Sequence, residues 1–265
     1  MNEKKQVLVT GISGKIGSVI VEHLADAYEL SGLDRSETDT TVPTTVADIC
    51  DMEGMLPAFE GVHTVVHLAA DPSPRGSWES ILSNNIIGTR NVFEAARSAG
   101  VSRVVYASSH HAASNHALRT EPYKAIFEGH INELRQPLQR LGTDLIRPTS
   151  NYGVSKVFGE ALGSFYHDEY GMSVICMRIG WMMASDDPTF SAGSLSLWLS
   201  QRDAAQLIRK AIDASPSVGF TIVNGESNNT LGVWDLSPGL RSIGFEPEDN
   251  AGDTWTDQPG SPSVL

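Results

Sequence analysis

The run VLVTGISGKIGSVI near the N-terminus constrains this chain more than any other feature. A strand-like segment, Gln6–Thr10, leads into Gly11, Gly14 and Gly17 and then into a helical pattern over Ile16–Ala27. Three glycines by themselves specify little. Between a strand and a helix they specify a tight turn whose backbone can lie against a diphosphate. Gly11 suits the sharp turn, Gly14 the close approach to a pyrophosphate, and Gly17 the tight packing of helix on sheet. The helix start adds unpaired N–H groups and the positive end of a dipole. The same turn contributes Ser13, Lys15 and Ile16 to the predicted cofactor contacts. A tight turn without a ligand is the alternative.

The rest of the chain keeps the alternation that this turn begins. Further strands are predicted at Tyr28–Leu33, Thr44–Ala47, Thr64–Leu68, Arg103–Ala107, Ser173–Arg178 and Phe220–Val223, with helices at Trp78–Ala99, Tyr152–Tyr170 and Arg202–Ala214. Gly100 is placed to end the first of those helices. Strands alternating with helices predict an α/β fold, a Rossmann-type doubly wound parallel sheet with a small C-terminal substrate-binding portion. Strands buried on both faces explain runs such as VLV and TVV in place of strict alternation. A long excursion, Ser108–Asn151, carries a predicted helix over Tyr123–Leu141. The expected organisation is a single cofactor-binding domain over 1–250, with substrate-binding insertions at about 109–151 and 181–200. A loose tail rich in Gly, Pro, Ser and Asp is expected over 251–265.

Composition narrows the function by exclusion. A net charge of −13 over 265 residues argues against nucleic-acid binding, which needs a basic face. No apolar run approaches the ~20 residues that span a bilayer, and the first residues lack a signal peptide's apolar stretch. No membrane association and a cytoplasmic location are therefore expected. Cys50 and Cys176 form neither a disulfide framework nor a C-x-x-C pair, and read as two buried thiols. His110, His111 and His116 raise the question of a metal. Adjacent histidines in a strand-like segment point to opposite faces, and no carboxylate or cysteine cluster supports them, so no metal is expected.

Asp34 ends the second strand about 20 residues after the glycines. A carboxylate there accepts hydrogen bonds from ribose hydroxyls and repels a 2′-phosphate, which favours NAD over NADP. Arg35 either attracts such a phosphate or points to solvent. Asp48, after the third strand, is a candidate for the adenine amino group and also for the N-cap of a helix over Met52–Phe59.

Tyr152 and Lys156 stand four apart on one predicted helical face. Tyrosine, with a pKa of ~10, is a poor base at neutral pH. A neighbouring ammonium favours the phenolate, which can then take a hydroxyl proton as hydride leaves for a nicotinamide. Ser108 and Ser109 follow the fifth strand at the edge where α/β sheets bind ligands, and Ser109 can orient the reacting oxygen. Either serine can instead cap a helix.

TGISGKIG, HLAA (His67–Ala70), NNIIGT (Asn84–Thr89), YASS (Tyr106–Ser109), YGVSK (Tyr152–Lys156) and RIG (Arg178–Gly180) together resemble the extended short-chain dehydrogenase/reductase family over roughly residues 5–180. Within it the chain is similar to uronate dehydrogenases and to haloarchaeal NAD-dependent glucose-6-phosphate dehydrogenases. That closer likeness rests on NNIIGT, on S-S-x-H at Ser108–His111, on YGVSK followed by Gly159 and Glu160, and on W-L-S-x-R-D at Trp198–Asp203. The resemblance implies NAD as cofactor and oxidation of an aldose at C1 to its lactone. It implies that Asn85 supports the lysine and a proton-relay water. Ile49, Leu68, Ala69, Ala70 and Ile179 would then line the cofactor, with Asn85, Tyr152 and Lys156 beside it. Ser73, His110 and His111 would face the sugar beside Ser109 and Tyr152, with Trp181 in the pocket wall. A homodimer or higher homo-oligomer is implied through the helices Trp78–Ala99 and Tyr152–Tyr170.

Two departures bear on the substrate. Uronate dehydrogenases hold the substrate carboxylate with an arginine after the sixth strand, and Trp181–Leu197 has neither Arg nor Lys. The excursion also carries Arg119, Lys124, Arg135, Arg140 and Arg147, which either bind a sugar phosphate or pair with Glu121, Glu128 and Glu133. Trp181, Met182, Met183 and Phe190 make the wall apolar. A neutral sugar or a sugar phosphate is thus expected. Nucleotide-sugar epimerases and dehydratases share these motifs but need a large C-terminal lobe, and only 85 residues follow Gly180. A catalytically inactive NAD-binding regulator is the remaining alternative, against which the intact Ser109, Tyr152 and Lys156 stand.

Overall fold

Seven parallel strands form one sheet in the order β3-β2-β1-β4-β5-β6-β7 in the computed structural model, which describes residues 4–130 and 138–254. The strands are β1 (Gln6–Thr10), β2 (Glu29–Asp34), β3 (Thr44–Val46), β4 (Thr64–His67), β5 (Arg103–Ser109), β6 (Ser173–Ile179) and β7 (Phe220–Gly225). The helices are α1 (Lys15–Leu24), α2 (Met52–Met55), α3 (Trp78–Ser80), α4 (Thr89–Ser98), α5 (Asn115–Leu118), α6 (Lys124–Phe127), α7 (Asn151–Tyr170), α8 (Ala192–Leu197), α9 (Gln201–Asp213) and α10 (Ser237–Ile243). This is the doubly wound parallel sheet expected from the alternation. The strand order reverses between β1 and β4, and such a switch point opens a crevice at the carboxyl ends of the strands.

Each central strand is buried on both faces, so its residues feed two cores. Val7, Val9, Val66, Val105, Ile175 and Val223 pack under α1 and α9, against Ile20, Leu24, Leu207 and Ile208. The intervening Leu8, Val65, Val104, Val174 and Cys176 pack on the other face against Val92 and Phe93 of α4 and Tyr166 of α7. A third apolar cluster joins Ala117, Ile126, Phe127, Leu197 and Trp234, which docks the excursion against the C-terminal portion.

Several elements differ from expectation. The segment Trp78–Ala99 is helical, but its middle, Ile81–Gly88, is a π-helix between α3 and α4. Gly100 does end it, with φ of 73°. Among the described residues, the expected helix Tyr123–Leu141 is helical only over α6. Gly129, with φ of 80°, turns the chain away, and Leu141 instead bridges to Trp234; residues 131–137 of that expectation lie outside the described residues. Helix α2 is capped by Asp51, which accepts from Gly54 N–H at 3.1 Å, not by Asp48. Cys176 is buried as expected but Cys50 is half-buried, its thiol donating to the Ser83 carbonyl at 3.2 Å. Residues 251–254 form a 3-10 turn with Ala251 buried, so packed structure extends into the expected tail; residues 255–265 lie outside the described part.

Candidate active site

The glycine turn forms as its sequence requires. Gly11 has φ of 72°, and a Cβ there would lie 2.9 Å from the Ala69 backbone, so only glycine lets β1 turn under the end of β4. Gly14 is the N-cap of α1, with no side chain capping the helix. The first N–H groups of α1 are thus presented to the crevice in front of them. Beneath, Thr10 Oγ1 accepts from Leu68 and Ala69 N–H at 3.2 Å each and fixes the chain leaving β4.

A cleft of about 640 Å³ runs from this turn to Tyr152, within the usual range for small-molecule sites. Its walls include Gly11, Ser13, Gly14, Lys15, Ile16, Gly17, Asp34, Arg35, Asp48, Ile49, Leu68, Ala69, Ala70, Ser109, Tyr152, Lys156 and Ile179, all expected from the sequence. Asp34 sits opposite the turn, where its carboxylate accepts from Ser13 Oγ at 2.6 Å and from the N–H of Ser13 and Arg35. Asp48 Oδ1 accepts from Cys50 N–H at 2.8 Å. An uncapped helix start, a carboxylate some distance along the crevice and an apolar floor suit a dinucleotide of the NAD type: anion binding at one place, hydroxyl recognition at the next.

Asn85 is the clearest departure. It is fully buried and behind the wall, and its amide is taken up by the chain itself. Its Oδ1 accepts from Asp71 N–H at 2.7 Å, and its Nδ2 donates to the Asp71 carbonyl and to Ser155 Oγ at 3.0 Å each. The residue that lines the cleft is Asn84. The π-helix is the reason, because wider turns rotate the face on which each side chain emerges. Met182, expected in the apolar wall, and Ser108, expected at the ligand-binding edge, also line the cleft, whereas Pro72, Ala107 and Gly180 do so without having been singled out for it. Gly180 directly follows β6 and Ala107 lies in the carboxyl half of β5, the edge of the sheet where ligands bind.

Ser73, His110, His111 and Trp181 do not line this cleft. Ser73 closes the turn after β4, its Oγ accepting from Arg75 N–H. The two histidines lie in a 3-10 turn (His110–Ala112), not in an extended strand, so their rings are neighbours at 4.2 Å rather than opposed. An aromatic run results: Tyr152 meets His111 at 5.6 Å, His110 meets Trp181 at 6.1 Å, and Trp181 stacks on Phe190 at 5.5 Å. His111 Nδ1 pairs with Thr149 Oγ1 at 2.7 Å and His110 Nδ1 with Ser114 Oγ at 2.8 Å. Burial holds both imidazoles neutral, pulling His111 down to about 4. Of the excursion's cations, Lys124 pairs with Glu128 at 3.0 Å, Arg119 and Arg147 donate to Asn115 and Thr120, and Arg140 lies against Asn229. None of these four lines the cleft; Arg135 lies outside the described residues.

Lys156 is buried and donates to the Ala107 carbonyl at 2.7 Å, with its ammonium 5.5 Å from the Tyr152 ring centre. Burial lowers it to about 8, while Glu160 acts in the opposite direction. Tyr152 departs from the expectation that lysine lowers its pKa. Burial pushes it up to about 12, Asp71 adds to the rise, and a side-chain hydrogen bond from Ser109 opposes it. Desolvation dominates, and the side chains that act with or against it are Asp71 and Ser109 rather than Lys156. Ser109 also accepts from His111 N–H at 3.2 Å, so the capping role and the place beside Tyr152 coexist.

A sequence profile of the NAD dependent epimerase/dehydratase family matches residues 7–206. The chain is 36% identical over 262 residues to an NAD-dependent glucose-6-phosphate dehydrogenase of Haloferax volcanii, covering 96% of this chain and 97% of that one. It is also 36% identical over 257 residues to an L-arabinose 1-dehydrogenase (NAD(P)(+)) of the same organism, covering 93% and 97%. Among solved structures, uronate dehydrogenase from Agrobacterium tumefaciens superposes with a TM-score of 0.80 at 34% identity, covering 97% of this chain and 91% of that one.

Proposed function

The chain belongs to the NAD dependent epimerase/dehydratase family, and from that premise we propose that it is an NAD-dependent sugar dehydrogenase that oxidises an aldose at C1 to the lactone. The observation that carries this reading is the convergence of Ser109, Tyr152 and Lys156 on the end of a dinucleotide-sized cleft. The glycine turn and the start of α1 would hold the diphosphate, and Asp34 the adenosine ribose. When bound, the oxidised cofactor accepts the C1 hydrogen with its electron pair, and it brings positive charge to the cleft that Tyr152 lines. Tyr152 takes the proton of the C1 hydroxyl as the C1–O bond becomes a carbonyl. Ser109 orients that oxygen, and Lys156 provides the charge that makes the phenolate accessible.

A neutral sugar fits better than an acidic one. The cations along the cleft are Lys15 and Arg35 at the glycine-turn end and Lys156 itself. Met182 in the cleft wall, with the Trp181–Phe190 stack reached from Tyr152 across His111 and His110, suits a sugar with few charged groups. The similar dehydrogenases, named for glucose 6-phosphate, arabinose and uronates, support sugar oxidation over epimerisation. We place the enzyme in the cytoplasm, in keeping with two unpaired cysteines. A homodimer is supported by the apolar residues exposed on α7 and the π segment, Val154, Phe165, Tyr170 and Ile87.

The test is a panel of neutral hexoses and pentoses, uronates and sugar phosphates, each with NAD and NADP. NADH formation that falls about 10²- to 10⁴-fold in Tyr152→Phe is expected. NAD binding with no Tyr152-dependent turnover on any sugar would favour the inactive regulator instead.

A further inference from the structure

The buried groups around Lys156 converge on one carboxylate that the reaction as described leaves unused. Glu160 follows Lys156 by one turn of α7, so the two side chains share a face, and both are buried. Arg178 of β6 grips its carboxylate as a fork, donating from Nε to Oε1 at 2.7 Å and from Nη2 to Oε2 at 2.8 Å. Ser108, at the end of β5, donates its Oγ to Oε1 at 2.6 Å. Arg178 also donates from Nη1 to the Leu145 carbonyl at 3.0 Å, which ties the same unit to the excursion.

The charges in this region are two cations, Lys156 and Arg178, against one anion. Unpaired ions are costly in such a place. The other groups that face Lys156 cannot supply the balance. Tyr152 lies on its own helix, and Tyr106 of β5 stands with its ring 5.1 Å from the ammonium; burial keeps both as phenols at neutral pH. His67 of β4 is held neutral by burial, lowered to about 3, and burial raises the Cys176 thiol of β6. Asp71, beyond β4, acts on Tyr152.

We propose that Glu160, fixed by Arg178 and Ser108, is a positioning residue that compensates the charge of the Lys156 ammonium and so keeps that ammonium beside Tyr152. The inference rests on the roles given to Tyr152 and Lys156 under Proposed function. Lys156 acts in its protonated form, so its loss of a proton sets the high-pH limb of the rate. Replacing Glu160 with a neutral side chain leaves Arg178 as a second uncompensated cation. Lys156 then deprotonates at lower pH, and the limb moves down with it.

Glu160→Gln tests this, because a glutamine is the same size and its amide oxygen can still accept from Arg178 and Ser108. Two quantities are read: the pH profiles of kcat and KM with NAD and an accepted sugar, and the NMR titration of the Lys156 Cε methylene in the protein without ligands, assigned through Lys156→Arg. Both midpoints should fall by about one pH unit or more, with KM for NAD little changed. Glu160→Gln/Arg178→Met, which removes both charges, should return the NMR midpoint toward the wild-type value, and it carries the test if the single variant does not fold. Midpoints that stay in place in a folded variant, with only thermal stability reduced, would overturn the proposal. A wild-type protein that oxidises no sugar would defeat the proposed function, yet the NMR midpoint would still decide the part played by Glu160.

Discussion

Gly14→Ala and Gly17→Ala add the same methyl group three residues apart and should fail in different ways. At Gly17 the methyl would overlap the Ile12 carbonyl oxygen and lie 2.5 Å from its carbon and 2.7 Å from its Cα. These are backbone atoms, so no side-chain rotation relieves the clash and α1 must move off the turn. Overpacking costs about 1–3 kcal/mol. Overlap with three main-chain atoms of Ile12 puts this case at about 3 kcal/mol, against which the better helix propensity of alanine returns about 1 kcal/mol. A net loss of about 2 kcal/mol lowers Tm by about 4–8 °C in a chain of this size. At Gly14 the nearest atom to the added methyl is the Gly11 carbonyl oxygen at 3.2 Å, and φ of −72° with ψ of 170° suits alanine. The cost to the fold, that of a poorer N-cap, is within about 1 kcal/mol. The methyl would stand at the uncapped start of α1, where the diphosphate must approach. NAD affinity should fall about tenfold or more, equivalent to about 1.4 kcal/mol. Thermal melts and calorimetric NAD titrations of both variants read the two effects separately. A Gly17→Ala protein melting with the wild type, or a Gly14→Ala protein binding NAD as tightly as the wild type, would refute the assignment of these glycines.

Asp34→Asn should raise KM for NAD about tenfold, the value of one charge-assisted hydrogen bond, while KM for NADP improves because the repulsion is gone and Arg35 lines the same end of the cleft. Steady-state kinetics with both cofactors measure the shift, and an unchanged NAD/NADP ratio would count against the ribose role. Asn85→Ala should cost about 1–3 kcal/mol in a denaturant melt by stranding Asp71 and Ser155, whereas Asn84→Ala, which loses only the bonds of its amide to Ser80, should cost less and alter turnover; equal melts would contradict this difference between the two asparagines. Because burial raises Tyr152 to about 12, kcat should climb as pH rises from neutrality toward about 8, where in the protein alone Lys156 is half deprotonated. A flat profile over that range would argue against Tyr152 as the base.

The parts that were legible in the sequence are those set by short-range geometry. A parallel strand buried on both faces announces itself as an apolar run, and a βα turn that must pass under another strand end requires Gly11. The cofactor end of the cleft follows almost directly, since its lining consists of the turn and the residues at strand ends. What escaped depends on rotations and contacts that no periodic count contains. Counting at 3.6 residues per turn cannot tell Asn84 from Asn85 once Ile81–Gly88 winds as a π-helix. Reading the Ser108–His111 stretch as extended separates two rings that a 3-10 turn brings together. The YGVSK spacing locates Lys156 beside Tyr152, but not the burial that dominates the phenol nor the Ala107 carbonyl that the ammonium finds. The same distinction explains the substrate end. The proposed sugar side adjoins, beyond the cleft itself, a run of rings from Tyr152 through His111 and His110 to Trp181 and Phe190, assembled from three separate stretches of the chain. Specificity built that way depends on shape and apolar contact. Substitutions in that run should therefore change which sugar is accepted before they change whether the bound sugar is oxidised.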